Sequence, residues 1–262
     1  MRSDGRSWKE PQWPGRRKAR RSRRSTTWAT RSGGSARRSL DVPRLRAVLF
    51  DIDGTLLDTR DAWVAAFDAG LAAIRKTSIS GSEASQWIGT PIEVIYAERC
   101  GLAGDELTMA VREFQRVEAE SVHEGMRAYP GIREALASLA AWKLAAVTNK
   151  RHDTSVEALR VTGLLPFFAL VLGGDSVPRK KPAPDPILRA ASGLGVQAPE
   201  CAVVGDTEND VRAGKAAGAR TIGVTWGYGT RARLEAAGVD YLIETPEALP
   251  PLLRALTPST AA

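Results

Sequence analysis

The chain has 262 residues and a formal net charge of +7, with two cysteines and two histidines. That length can bury a sizeable core, in one large domain or two modest ones. Cys100 and Cys201 lack Cys-x-x-Cys spacing, and His123 and His152 are the only histidines; this argues against a disulfide or zinc framework and against a histidine-based triad.

No apolar run approaches the ~20 residues of a membrane span, and the opening segment lacks the apolar stretch of a secretory signal, so a cytoplasmic location is expected. The charge is unevenly placed. Residues 1–46 hold 13 Arg and 2 Lys against 3 acidic residues, a net +12 that leaves −5 for the remainder. Residues 1–44 show no helical or strand periodicity and read as a basic disordered tail or an overlong reading frame. The run Arg16-Arg17-Lys18-Ala19-Arg20-Arg21-Ser22-Arg23-Arg24 would make nucleic acid a partner through the tail alone.

The first element of the body is Ala47-Val48-Leu49-Phe50, an apolar run that predicts a strand buried on both faces. It leads into Asp51-Ile52-Asp53-Gly54-Thr55. Spacing i, i+2 at a strand end directs both carboxylates to one side of the sheet. Two acids in a small site repel unless a cation shares the space or one holds a proton, which suggests a metal site with one acid free for proton transfer. Helical patterns are expected over Asp58–Lys76, Glu83–Arg99 and Glu106–Glu120, an all-helical insert.

From Tyr129-Pro130-Gly131 the pattern alternates. Strands are expected at Leu144–Thr148, Phe168–Leu172, Cys201–Val204, Thr221–Thr225 and Tyr241–Ile243, with helices between them. Regular βα alternation predicts a doubly wound, Rossmann-like parallel sheet with helices on both faces. Ligands of such sheets sit beyond the carboxyl ends of the strands, and the polar clusters fall there. Thr148-Asn149-Lys150 offers a hydroxyl and backbone N–H groups to phosphate oxygens. In Lys181-Pro182-Ala183-Pro184 the prolines stiffen the backbone that carries an ammonium. Asp206 ends the next strand, with Asp210 one helical turn on, an oxygen-rich set that suits Mg²⁺.

In this order the motifs resemble the haloacid dehalogenase superfamily of phosphohydrolases, and most closely its phosphoglycolate phosphatase group, over about residues 45–256. The resemblance implies an α/β phosphatase core over 45–59 and 127–262 and a helical cap over 60–126. It implies Asp51 as nucleophile and Asp53 as general acid and base. Mg²⁺ would be held by Asp51, the main-chain carbonyl of Asp53 and Asp206, with Asp210 supporting through water. Thr148, Asn149 and Lys181 would bind the transferring phosphoryl group. Specificity for a small phosphorylated substrate would lie in the cap at Trp87, Gly89 and Thr90, in a monomer or homodimer. The acid at Asp53 disfavours dehalogenase chemistry. Trp63 stands where related sugar phosphomutases often carry histidine; a mutase or a pyrophosphatase remains an alternative.

Overall fold

The computed structural model describes residues 43–257. The basic tail expected over 1–44 lies outside the described residues apart from exposed Pro43 and Arg44, and so do residues 258–262 of the expected core. The body begins with β1 (Ala47–Phe50), then β2 (Leu57–Asp58). Five helices follow: α1 (Arg60–Ala73), α2 (Gly81–Ala84), α3 (Ile92–Glu98), α4 (Gly104–Glu120) and α5 (Val122–Gly125). The chain returns through β3 (Arg127–Ala128), α6 (Ile132–Ala137), β4 (Lys143–Val147), α7 (His152–Val161) and β5 (Leu170–Leu172). It continues with α8 (Asp185–Leu194), β6 (Cys201–Gly205), α9 (Glu208–Ala217), β7 (Arg220–Val224), α10 (Arg231–Ala236), β8 (Tyr241–Ile243) and α11 (Leu249–Ala255).

Six strands form one parallel sheet in the order β5-β4-β1-β6-β7-β8, the doubly wound arrangement the βα alternation predicts. Period-two alternation explains why the strands are apolar throughout. Val48 and Phe50 face a core shared with Leu136 of α6, Leu159 of α7 and Leu253 of α11. Ala47 and Leu49 face the opposite core, with Ile187 and Leu194 of α8 and Ala213 of α9. The order places β1 between β4 and β6, so the loops after these three strands meet at one point.

The helical insert has a core of its own. Trp63 and Phe67 stack at 5.4 Å and Phe67 and Tyr96 at 5.1 Å, and the Tyr96 hydroxyl donates to the Phe67 carbonyl at 2.8 Å. Two expectations need correction here. The helix expected from Asp58 begins at Arg60, because Leu57 and Asp58 pair antiparallel with Ala128 and Arg127. The helix expected over Glu83–Arg99 is broken between α2 and α3. Gly89 adopts φ +89°, a left-handed value, and Pro91 disfavours helical backbone at Thr90. Other ends differ by a few residues, the usual fraying. Among the described residues no helix is long and apolar enough to cross a membrane.

Candidate active site

The sharp turn after β1 is what gathers the site. The Asp51 amide donates to the Val204 carbonyl at 2.9 Å, and the amides of Leu56 and Leu57 both return to the Ile52 carbonyl at 2.9 Å. Gly54 has φ +81°, and a Cβ there would fall 2.3 Å from Asp206 Oδ2. Only glycine meets both demands.

Asp51, Asp206 and Asp210 then converge: one carboxylate oxygen from each lies within 4.8 Å of the others, and all three residues are buried. Lys181 Nζ reaches into this group, 2.8 Å from Asp51 Oδ1 and 2.6 Å from Asp210 Oδ1, and donates to the Val147 carbonyl at 2.8 Å. Burial disfavours the ammonium, but Asp210 and Asp51 outweigh it and keep Lys181 charged. Asp206 accepts from Thr55 Oγ1 at 3.0 Å and from the Tyr228 amide at 2.8 Å. Asp210 Oδ2 takes the amide and hydroxyl of Thr207, at 3.1 and 2.8 Å, at the start of α9.

Three buried carboxylates against one ammonium leave negative charge unbalanced. Asp51 Oδ1 has the ammonium contact but no aligned hydrogen bond. An all-oxygen set of this kind fits a divalent cation. Burial, together with the charges of Asp210 and Asp51, pushes the Asp206 carboxyl up to about 8, against the Tyr228 amide and Thr55 hydroxyl. Asp51 is displaced the same way, by burial first, with Lys181 opposing and Asp210 and Asp53 adding.

These shifts have a stability consequence. The folded, metal-free protein holds protons that the unfolded chain, with carboxyls near ~4, has released. The contribution of these two groups to stability is therefore full at low pH and lost as pH rises through the window up to about 8. In EDTA the melting temperature is expected to fall by roughly 5 °C or more between pH 6 and 9, and a divalent cation is expected to flatten that slope. Identical slopes with and without the cation would contradict the shared charge.

Asp53 is held apart from this cluster. Its Oδ1 accepts from Thr59 Oγ1 at 2.9 Å, and its Oδ2 lies 3.2 Å from Lys150 Nζ. Lys150 in turn donates to Glu118 Oε1 at 2.5 Å. The Tyr228 hydroxyl accepts from the Thr59 amide at 2.6 Å and meets Asp58 Oδ1 at 3.0 Å, bracing the start of α1. Thr55, Thr59, Lys150, Glu118 and Tyr228 were not anticipated as site residues. For Glu118 a signal existed: it continues the buried α4 stripe of Ala110 and Phe114, where a carboxylate is out of place.

The insert closes over these groups around a cavity of about 40 Å³. Trp63, Ile92 and Phe114 form its apolar wall, with Thr148, Asn149 and Lys150 opposite. Thr148 is buried and lines the cavity. The Asn149 side chain is used as a brace instead: Nδ2 donates to the carbonyls of Gly89 at 2.9 Å and Lys181 at 3.0 Å, and Oδ1 accepts from the Lys181 amide at 2.9 Å. Gly89 and Thr90 line the cavity. Trp87 does not; its ring packs edge-on against Phe67 at 5.8 Å inside the insert.

Fold and site together describe an α/β protein with a buried cluster of carboxylates beyond the carboxyl ends of its strands. Residues 48–224 match the haloacid dehalogenase-like hydrolase family. The phosphoglycolate phosphatase of Pectobacterium atrosepticum is 34% identical over 211 residues, 78% of this chain and 90% of its own. That of Nitrosospira multiformis is 36% identical over 194 residues, 70% of this chain and 85% of its own. A solved structure, described as a predicted phosphoglycolate phosphatase from Haemophilus somnus, is similar with a TM-score of 0.72 at 26% identity, covering 79% of this chain and 97% of that one. The chain belongs to the haloacid dehalogenase-like hydrolases.

Proposed function

We propose that this enzyme is a Mg²⁺-dependent phosphatase that hydrolyses a compact phosphoric monoester, of the phosphoglycolate type, through an aspartyl-phosphate at Asp51. The observation that carries the reading is the division between two acids two residues apart. Asp51 lies among Lys181, Asp206 and Asp210, whereas Asp53 is turned to Thr59 and Lys150.

Mg²⁺ would be held by the carboxylates of Asp51 and Asp206 and the main-chain carbonyl of Asp53. Asp210, whose oxygens already serve Lys181 and Thr207, would support it through water. The bound ion supplies positive charge to the phosphoryl oxygens and to Asp51, keeping that carboxylate ionised and nucleophilic. Asp51 attacks phosphorus in line as the bond to the ester oxygen breaks, and the Asp53 carboxyl gives its proton to the departing alkoxide. Asp53, now a carboxylate, takes a proton from the water that attacks phosphorus; the bond to Asp51 breaks and inorganic phosphate leaves. Lys181, the Thr148 hydroxyl and the main chain at Asn149 offset the charge of the phosphoryl group in both steps.

The cavity of about 40 Å³ has room for only a few water-sized groups, which favours a small leaving group in the closed arrangement. Trp63 stands in its wall as an apolar side chain, where a mutase would need an acid–base group. The test is a panel of phosphorylated metabolites with Mg²⁺, including 2-phosphoglycolate, hexose phosphates and inorganic pyrophosphate. The highest kcat/KM is expected for a two- or three-carbon monoester, with EDTA lowering activity by more than ~10²-fold. A preference for pyrophosphate, isomerisation of a hexose phosphate, or full activity in EDTA would overturn the reading.

A further inference from the structure

A carboxylate deep in the apolar stripe of α4 has no packing reason to be there. Glu118 is 4% exposed, and it sits one and two turns beyond Phe114 and Ala110 on the buried side of the helix. Burying an acid costs several kcal/mol unless a partner compensates. Here the partner comes from the other side of the cavity: Lys150, 6% exposed, in the loop after β4. Burial alone would lower the lysine's affinity for its proton, but Asp53 and Glu118 together more than restore it. The ammonium stands 2.5 Å from Glu118 Oε1 and 3.2 Å from Asp53 Oδ2. A chain of contacts, Glu118 to Lys150 to Asp53, therefore crosses from the helical insert to the acid of the sheet.

We propose that Glu118 is a positioning residue for leaving-group protonation: by drawing Lys150 toward the insert, it fixes the Asp53 carboxyl in the orientation from which its proton reaches the departing oxygen. The geometry is specific on both sides of that carboxyl. Thr59 Oγ1 holds Oδ1 at 2.9 Å. Lys150 lies 3.2 Å from the other oxygen, Oδ2, and its own position is set by the shorter contact to Glu118. Without Glu118 the ammonium keeps only Asp53 as a close acidic partner and is free to swing onto it and rotate it. The insert thus contributes a carboxylate to chemistry that takes place on the sheet. Lys150 moves no proton in this scheme; the proton travels from the Asp53 carboxyl to the ester oxygen as the phosphorus–oxygen bond breaks.

This inference rests on the role of Asp53 in the proposed function, and the experiment separates the two. Two compact substrates are compared: 2-phosphoglycolate, whose alkoxide needs a proton, and acetyl phosphate, whose carboxylate leaving group does not. Glu118→Gln is expected to lower kcat/KM for 2-phosphoglycolate by about 30-fold and for acetyl phosphate by less than about 3-fold. Glu118→Asp, which keeps the charge with a shorter reach, is expected to recover part of the loss. Asp53→Asn is expected to show the same leaving-group selectivity, and adding Glu118→Gln to it should cost nothing further, because the two act through one group. Equal losses on both substrates, no loss, or additive losses in the double variant would overturn the positioning role while leaving Asp53 as the acid. If Asp53→Asn itself shows no selectivity, the assignment of Asp53 fails and this inference fails with it. Thermal melts of each variant are run alongside; should Glu118→Gln not fold, the same readings are taken on Glu118→Asp, for which an unselective loss is the overturning result.

Discussion

Replacing Asp51 with Asn is expected to abolish turnover, lowering kcat by at least ~10⁴-fold, the scale on which a covalent nucleophile is missed when the remaining groups stay in place. The amide is nearly isosteric, so Lys181 and Asp210 keep their 2.6 Å contact. It carries no charge to attack phosphorus, and it takes one of three buried carboxylates out of the cluster. Since burial and the neighbouring acids already penalise the charged form of Asp51, the variant should melt no lower than the wild type in EDTA. Intact-protein mass measurement during turnover should show a phosphoryl adduct in the wild type and none in Asp51→Asn. Residual turnover within about 100-fold of wild type, in a preparation free of contaminating phosphatase, would rule out Asp51 as the nucleophile.

Lys181→Met is expected to damage both stability and rate. Its ammonium is 2% exposed and is the cation within contact distance of Asp51 and Asp210. Taking one member from a buried ion group leaves charges without compensation, at a cost of roughly 3–5 kcal/mol. Denaturant titration in EDTA reads that loss directly. Mg²⁺ should return part of it, since a dication can neutralise the same carboxylates. The rate at saturating Mg²⁺ should still fall by ~10²-fold or more, because the phosphoryl oxygens lose a fixed positive partner. A loss below about 1 kcal/mol in EDTA would mean that the acids share their charge some other way.

What could be read from the sequence, and what could not, divides along a physical line. The strand ends were legible because each buried run stops where its polar motif starts: Phe50 before Asp51, Val147 before Thr148, Gly205 before Asp206. Parallel pairing of β4, β1 and β6 then brings those ends together without further information. The ribbon of β2 and β3 was not legible. Two residues carry no period, and Leu57 and Asp58 pass equally well for the first turn of the helix that follows. The break at Ile88–Pro91 did leave a trace, the Gly89-Thr90-Pro91 sequence, which the apolar spacing around it outweighed. Lys150 stood inside a recognised motif, yet its use depends on a carboxylate 32 residues away on another element. Long-range ion pairs have no sequence period. Only the misplaced acid in an apolar stripe betrays them.

The short ribbon has a mechanical meaning. The chain leaves the sheet for the insert at Leu57–Asp58 and comes back at Arg127–Ala128, with Leu57 opposite Ala128 and Asp58 opposite Arg127. Outgoing and returning strands are therefore strapped side by side. Such a strap bends readily across its flat face but resists shear and stretch, since sliding one strand past the other would break its ladder. The helices are joined to the sheet at this strap, and packing adds to the tether: Ala62 of α1 and Val122 of α5 are buried in the core that Val48 and Phe50 face. Outgoing and returning chain cross at one place on the rim of the sheet. Every strand of the six-stranded sheet lies outside the insert, so the pairing that orders the sheet is made wholly by chain on either side of this one crossing.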